Sequence, residues 1–462
     1  MKRLIGTKEF YKWILMIAVP IMIQNGITNF VSLLDNIMVG QVGTAQMSGV
    51  AIANQLMFVY NVTIFGAVSG AGIFGAQFFG SGNHEGLKNT FRFKLISCIL
   101  LGIFTIFLFF FAGEHLISFY LNDSNDAESI KQTLFYGKSY LNIMMVGLIP
   151  FALSNTYSST IRETGETVVP MISSISAVLT NLVFNYILIF GMFGAPKLGV
   201  LGAAIATVIS RFVELAILIY WTHSHQERNV FIRGVYQSFK IPKDLTGKIV
   251  IKGTPLLVNE FLWSGGMAMM MQCYSVRGLN VVAAMNISNT VANVFNIVFL
   301  AMGNVVAIVV GQLLGASKMK EAKETAGKLI FMSVILSSMM GLLMAIIAPF
   351  FPQIYNTTED IRHLATRFII VPALCMPMYA FMHATYFTLR SGGNTIITFL
   401  FDSAFVWVVS IPLAYVLTRY TSLNIIWVYL FCQLIEILKC ILGYTLVKKG
   451  VWLNNMVGYE AA

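Results

Sequence analysis

The sequence predicts an all-α membrane protein with 12 transmembrane helices in two six-helix lobes, related by an internal parallel repeat. Three observations predict it. Charge is scarce, apolar runs of spanning length recur along the whole chain, and rare residues of the first half reappear in register in the second.

Hydrophobic residues make up 57% of the 462 positions and charged residues only 11%. A soluble protein needs about 25% charged residues to keep its surface wet. Most of this chain's surface must therefore face lipid. The net charge of +10 is spread over many short loops and forms no patch, so it reads as topology signals rather than a nucleic-acid footprint. The five cysteines lie in or beside apolar runs without CxxC spacing and are read as packing residues. The first apolar run is too long for a cleaved signal core and contains Asp35.

A helix needs about 20 apolar residues to span a bilayer. Such runs fall near 13–38, 48–79, 93–113, 137–161, 168–191, 198–222, 249–276, 282–314, 328–350, 366–389, 395–418 and 423–447. Twelve spans put both termini on one side. The termini and even-numbered loops carry about three times as many Lys and Arg as the odd-numbered loops, which places both termini in the cytoplasm of a multi-pass inner-membrane protein. Residues 223–248 are polar and basic. They are read as a cytoplasmic linker between an N-lobe of residues 1–222 and a C-lobe of residues 249–462.

The lobes are internal copies. A constant offset of 235 pairs Pro20 with Pro255, Gly43 with Gly278, Asn54 with Asn289, Asn61 with Asn296, Gln77 with Gln312 and Gly80 with Gly315. An offset of 228 then pairs Arg162 with Arg390, Gly165 with Gly393 and Thr167 with Thr395. Six spans per copy insert both in one orientation, with the repeat axis along the membrane normal. Pro20 and Pro255 each remove a backbone donor inside a span and are candidate hinges.

Polar residues inside the spans are the candidate functional groups, because charge in a bilayer is costly. Asp35 lies deep in the first span, with no basic residue within one turn, and reads as a proton or cation site. Asn181 and Asn185 are four apart and share a face of the fifth span, and Thr207 lies in the sixth. Such oxygen ligands suit a hard cation, giving a candidate sodium site at Asp35, Asn181 and Thr207. The asparagines also fit the alternative of helix–helix hydrogen bonding. Glu260, His383 and Asp402 are secondary candidates, with Glu260 free to pair instead with Lys252. Arg211 with Glu214, and Glu436 with Lys439, have the spacing of ion pairs along one helix.

Gly70 to Gly75 matches GxGxxG but lies within an apolar span, so close helix packing explains it better than a dinucleotide. There is no Walker A lysine motif, no catalytic constellation and no soluble stretch long enough for a nucleotide domain. An enzyme or an ATP-driven pump is not expected, nor is a cofactor. Active transport would draw on an ion gradient.

Together these residues resemble the multidrug and toxic compound extrusion (MATE) family. The resemblance rests on Pro20 to Gly43 (P-x3-Q-x10-D-x4-G-x2-G), Ala76-Gln77 with Gly80, Arg162 through Pro170, Asn181 through Gly191 and Gly202 to Thr207. Gln312 with Gly315 and Leu389-Arg390 echo them in the second half. The resemblance implies export of amphipathic, often cationic small molecules in exchange for sodium or protons, by a monomer in the bilayer. It implies ion coupling at Asp35, Asn181, Asn185, Thr207 and Ala203, the last through its carbonyl, with Tyr140 similar to a fourth-span tyrosine near that site. One branch of the family has an aspartate where this chain has Asn185. Another has a seventh-span glutamate one turn beyond Glu260, and an aspartate at the position of Tyr379. Tyr379 is thus a further C-lobe candidate, a full C-lobe ion site is not implied, and sodium is favoured over protons. The rival reading within transport is a flippase for a lipid-linked precursor, which would need a strongly basic cavity.

Overall fold

The computed structural model describes residues 5–40, 42, 44–119, 127–355 and 357–458. All regular structure among them is helical. That follows from the bilayer, where each backbone N–H and C=O needs a partner within its own segment.

In chain order the α-helices are α1 (Lys8–Gly40), α2 (Thr44–Ser81), α3 (His84–Ser118), α4 (Ala127–Val146), α5 (Leu148–Glu163), α6 (Val168–Phe190) and α7 (Val200–Ser224). They continue with α8 (Lys243–Ser275), α9 (Leu279–Gly315), α10 (Met319–Ile347), α11 (Glu359–Ser391), α12 (Thr395–Phe399), α13 (Ile411–Tyr420), α14 (Ile425–Leu434) and α15 (Ile437–Lys449). Ten stretches of the described residues are each long and apolar enough to cross a membrane. The other two expected spans are α8 and the α4–α5 pair. Large apolar side chains stay on the outside, as lipid contact requires: Phe110 and Phe111 of α3 are 70% and 75% exposed.

Three expected spans are not continuous. The fourth breaks at Gly147, where Pro150 cannot donate to the preceding turn. Side chains take up the exposed carbonyls: Arg211 Nη1 donates to Gly147 O at 3.1 Å and the Tyr60 hydroxyl to Leu148 O at 2.8 Å. Arg211 therefore serves this break, and the expected ion pair with Glu214 does not form among the described residues. The eleventh span widens into two π-turns, Leu400–Ala404 and Val406–Ser410, between α12 and α13, ahead of Pro412. The twelfth pauses between α14 and α15, and there Lys439 and Glu436 do pair, at 2.8 Å.

The chain divides into two compact units. One holds Met1–Met22, Ala76–Asn83 and Ile249–Ala462, and the other Ile23–Gly75 and His84–Lys248. The division passes through α1 two residues after Pro20, and through α2 between Gly75 and Ala76. In the first unit, Ile14, Ile17, Ala18 and Ile21 of α1 pack into one apolar core with α9, α10 and α11. In the second, part of the expected linker is folded. Phe231 and Val235 are fully buried, and Arg92 of α3 holds the Val235 and Gly234 carbonyls at 2.9 and 3.2 Å.

Candidate functional site

The polar residues expected to act together in the first lobe lie on α6 and α7, which pack side by side in the second unit. Gly202 allows the close approach, since a Cβ there would meet the Leu188 carbonyl carbon at 2.6 Å. Across that contact runs one chain of hydrogen bonds. Asn185 Nδ2 donates to Asn181 Oδ1 at 3.1 Å, Asn181 Nδ2 to Thr207 Oγ1 at 3.1 Å, and Thr207 Oγ1 to the Ala203 carbonyl at 2.9 Å. Asn181 and Asn185 are 6% and 1% exposed. Four of the expected residues thus form one buried array of amide, hydroxyl and carbonyl dipoles. The spacing of the asparagines put them on one face, and the fold adds that α7 answers them.

Tyr140 of α4 donates to Asn54 Oδ1 at 3.3 Å. Its ring shares an apolar cluster with Ala203 and with Val39 of α1. Asp35 lies within α1, four residues before Val39. The side chain of Asp35 lies outside the described residues. Sequence reasoning missed Asn54 as the partner of Tyr140, although its pairing with Asn289 in the repeat marked it.

The secondary candidates are all in the first unit. Asp402 sits in the π-turns of the eleventh span. Its Oδ2 accepts from Asn259 Nδ2 at 3.0 Å, and its Oδ1 is 3.9 Å from Lys439 Nζ. Asn259 also donates to the Tyr386 hydroxyl at 3.3 Å, and its Oδ1 accepts from the backbone N–H and hydroxyl of Ser403 at 3.2 and 2.7 Å. Glu260 follows Asn259 on α8, within the electrostatic reach of Arg390 and Asp402, and forms no ion pair with Lys252 among the described residues. Tyr379 donates to Gln433 Oε1 at 2.6 Å. His383 is packed among rings, with Phe387 and Phe299 at 4.9 and 5.4 Å between centroids. The fold therefore gathers Asp402, Glu260, Asn259, Glu436 and Lys439, and places Tyr379 and His383 in aromatic packing beside them. Asn259 was missed, since a lone buried asparagine carries no period or spacing.

A second buried ion pair was missed altogether. Lys94 of α3, 1% exposed, meets Glu163 Oε1 of α5 at 2.5 Å. Ser159 and Thr160 accept from the same ammonium, each at 3.1 Å. The GxGxxG glycines explain themselves here. A Cβ on Gly72 would meet Glu163 Oε1 at 2.8 Å, and Gly75 leaves room for Glu163 Oε2. Removing one partner strands a charge, so Lys94→Met should cost about 3–5 kcal/mol. The double variant Lys94→Met with Glu163→Leu should recover most of that. Thermal unfolding of the purified variants checks both outcomes.

Two six-span repeats, with a polar array in one and a charge network in the other, define a multi-pass membrane carrier for small molecules. The MatE family model matches residues 20–187 and again 255–416, opening at Pro20 and at Pro255, and the chain belongs to this family of transporters. Among curated relatives, a probable multidrug resistance protein NorM of Thermotoga maritima is 26% identical over 439 residues, covering 92% of this chain and 90% of its own. A probable multidrug resistance protein YoeA of Bacillus subtilis is 24% identical over 412 residues, covering 89% and 88%. Among solved structures, a MATE protein in the straight conformation superposes with a TM-score of 0.86 over 98% of each chain at 18% identity. An outward-facing multidrug resistance MATE transporter of the MOP superfamily gives 0.84 at 18% identity, over 97% of this chain and 98% of its own. The fold is thus the twelve-span, two-lobed fold of these structures, and the protein is a transporter, not an enzyme.

Proposed function

We propose that the protein is a cation-coupled antiporter, a monomer that exports amphipathic, often cationic compounds across the inner membrane with both termini in the cytoplasm. The observation that carries this reading is the array Asn185–Asn181–Thr207–Ala203, set on two packed helices of the second unit. Its oxygens are hard ligands of the kind sodium takes, and a carboxylate at Asp35 supplies the missing charge. A bare carboxylate in the bilayer is costly, so Asp35 holds either a cation or a proton. Each form favours a different opening of the carrier. The ion gradient then drives export through its differential affinity for the two states. Amide and hydroxyl ligands favour sodium over the proton.

The flippase alternative needs free buried cations for a pyrophosphate. Here Lys94 and Lys439 face carboxylates at 2.5 and 2.8 Å, which favours the antiporter. The test is efflux of ethidium from cells expressing the chain, assayed with sodium, with choline in its place, and with the pH gradient collapsed. Loss on sodium removal identifies sodium, and loss on pH collapse identifies the proton. Ethidium retention under all three conditions, with scrambling of a lipid-linked probe in vesicles, would replace this reading by the flippase.

A further inference from the structure

The charge network of the first unit does not balance. Asp402, Glu436 and Glu260 face Lys439 and Arg390, so among the described residues of this cluster one carboxylate lacks a counter-charge. The cluster lies mid-span on α8, on the π-turns and on the α14–α15 junction, where an uncompensated charge is least tolerated. The other titratable groups facing it are Tyr386 and His383 of α11, and Cys440 and Tyr379 beside Glu436. Of these only His383 could become positive, by binding a proton; the tyrosines and the cysteine are neutral or anionic.

Geometry separates Asp402 from Glu436, the two carboxylates that share the Lys439 ammonium. Lys439 Nζ is committed to Glu436 Oε2 at 2.8 Å, while Ser410 donates to Glu436 Oε1 at 3.0 Å. Asp402 Oδ1 is left with the same ammonium at 3.9 Å, beyond hydrogen-bond reach. Its side chain is also the accessible one, 25% exposed against 12% for Glu436 and 4% for Lys439. The backbone around it is built for a purpose other than regular helix. In the π-turn, Ser403 N–H is taken by Asn259 Oδ1, and the same asparagine grips Asp402 Oδ2. Wide turns of this kind recur at functional positions of membrane and soluble helices.

We propose that Asp402 is a second ion site of the carrier, one that takes a proton, with Lys439 and Glu436 as its fixed electrostatic frame and Asn259 as the positioning residue. The proton adds to Asp402 Oδ1, and the cluster becomes neutral. It leaves from that oxygen to water, and the cluster returns to one net negative charge. The proposal rests on transport being ion-driven, but not on Asp35 being the coupling residue. A proton-coupled step in this lobe would run beside the sodium-favouring array of the other.

The test begins with the native chain in nanodiscs without sodium, treated with dicyclohexylcarbodiimide, which attacks carboxyl groups in their protonated form. Mass spectrometry should find the adduct at Asp402, at a yield that falls as pH rises. Removal of the ammonium in Lys439→Met should carry that fall upward by about one pH unit or more, as expected for loss of an opposite charge within 4–6 Å. In cells, Asp402→Asn should lower pH-gradient-driven ethidium efflux at least tenfold and spare the sodium-driven part, whereas Asp35→Asn removes both. Loss in Asp402→Asn with full activity in Asp35→Asn would sink the Asp35 assignment and leave this one standing. Unlabelled Asp402 in a preparation whose other carboxyls react, or wild-type pH-driven efflux in Asp402→Asn, would overturn it. Should Lys439→Met fail to fold, the labelling of the native chain still decides.

Discussion

Asp35→Asn is expected to reduce gradient-driven efflux to the level of cells without the transporter, while the amount of protein in the membrane stays the same. The asparagine keeps the shape and the hydrogen-bonding capacity of the aspartate. It can neither carry a charge nor take up a proton. An ionised carboxylate at mid-bilayer costs about 2.5–3.5 kcal/mol on insertion scales. Binding a cation or a proton relieves that cost, and the relief is what ties the ion to one state of the carrier. The uncharged amide has nothing to relieve, so both states become equally available whatever the gradient, and net export stops. Asp35→Glu should keep part of the activity, since the charge returns in a longer side chain. Ethidium efflux normalised to membrane-embedded protein measures both variants. Undiminished export by Asp35→Asn would refute the coupling role.

The second large effect is expected where the two QxxG segments of the repeat meet. Gly80 of α2 lies against the carbonyl of Gln312 on α9, and Gly315 of α9 lies against the carbonyl of Gln77 on α2. In both cases a Cβ would overlap the carbonyl oxygen. These four residues are paired by the offset of 235 in the sequence, and in the fold each pair grips the other reciprocally. Gly80→Leu and Gly315→Leu should each prevent stable folding. The alanine variants should cost at least the 1–3 kcal/mol of an overpacked core. The double alanine variant should cost less than the sum, because the first Cβ has already spread the helices for the second. Gln77 adds a clasp. Its Nε2 donates to the Ser391 and Asn454 carbonyls at 2.9 and 3.3 Å, and its Oε1 accepts from Met456 N–H at 2.8 Å. Gln77→Ala strands these groups at about 1–3 kcal/mol and should release residues 451–458 to protease. Thermal unfolding and limited proteolysis of purified protein read these outcomes. An alanine at Gly80 without thermal cost would contradict the close crossing.

Much of the fold was legible because the bilayer imposes it residue by residue. Each span shows as a run of apolar side chains whatever its neighbours are. The repeat shows because Pro20 and Pro255, Gln77 and Gln312, and Gly80 and Gly315 are rare residue types at one offset. The pairing of Asn181 with Asn185 shows because a helix returns to the same face after four residues. The ion pair of Glu436 and Lys439 shows for a similar reason. Contacts between distant helices carry no such signal. Lys94 reads as a basic residue at the edge of a span, and nothing near it in the chain announces Glu163, 69 residues on. The Arg211–Glu214 spacing was as good as that of Glu436 and Lys439, yet Arg211 turned to the broken backbone at Gly147.

The sequence alone determined the class of protein: spans set by the free energy of apolar burial, a repeat set by matching residues, and a carboxylate at position 35 set by composition against environment. Only the tertiary structure decided the partners. It placed Asn259 between Asp402 and Ser403, widened the eleventh span into π-turns, and gave the glycines of α2 a carboxylate on one stretch and a crossing helix on the next. The reason is that hydropathy and helical period are local, additive properties. Hydrogen bonds and ion pairs depend on ångström distances between helices that the chain order does not specify.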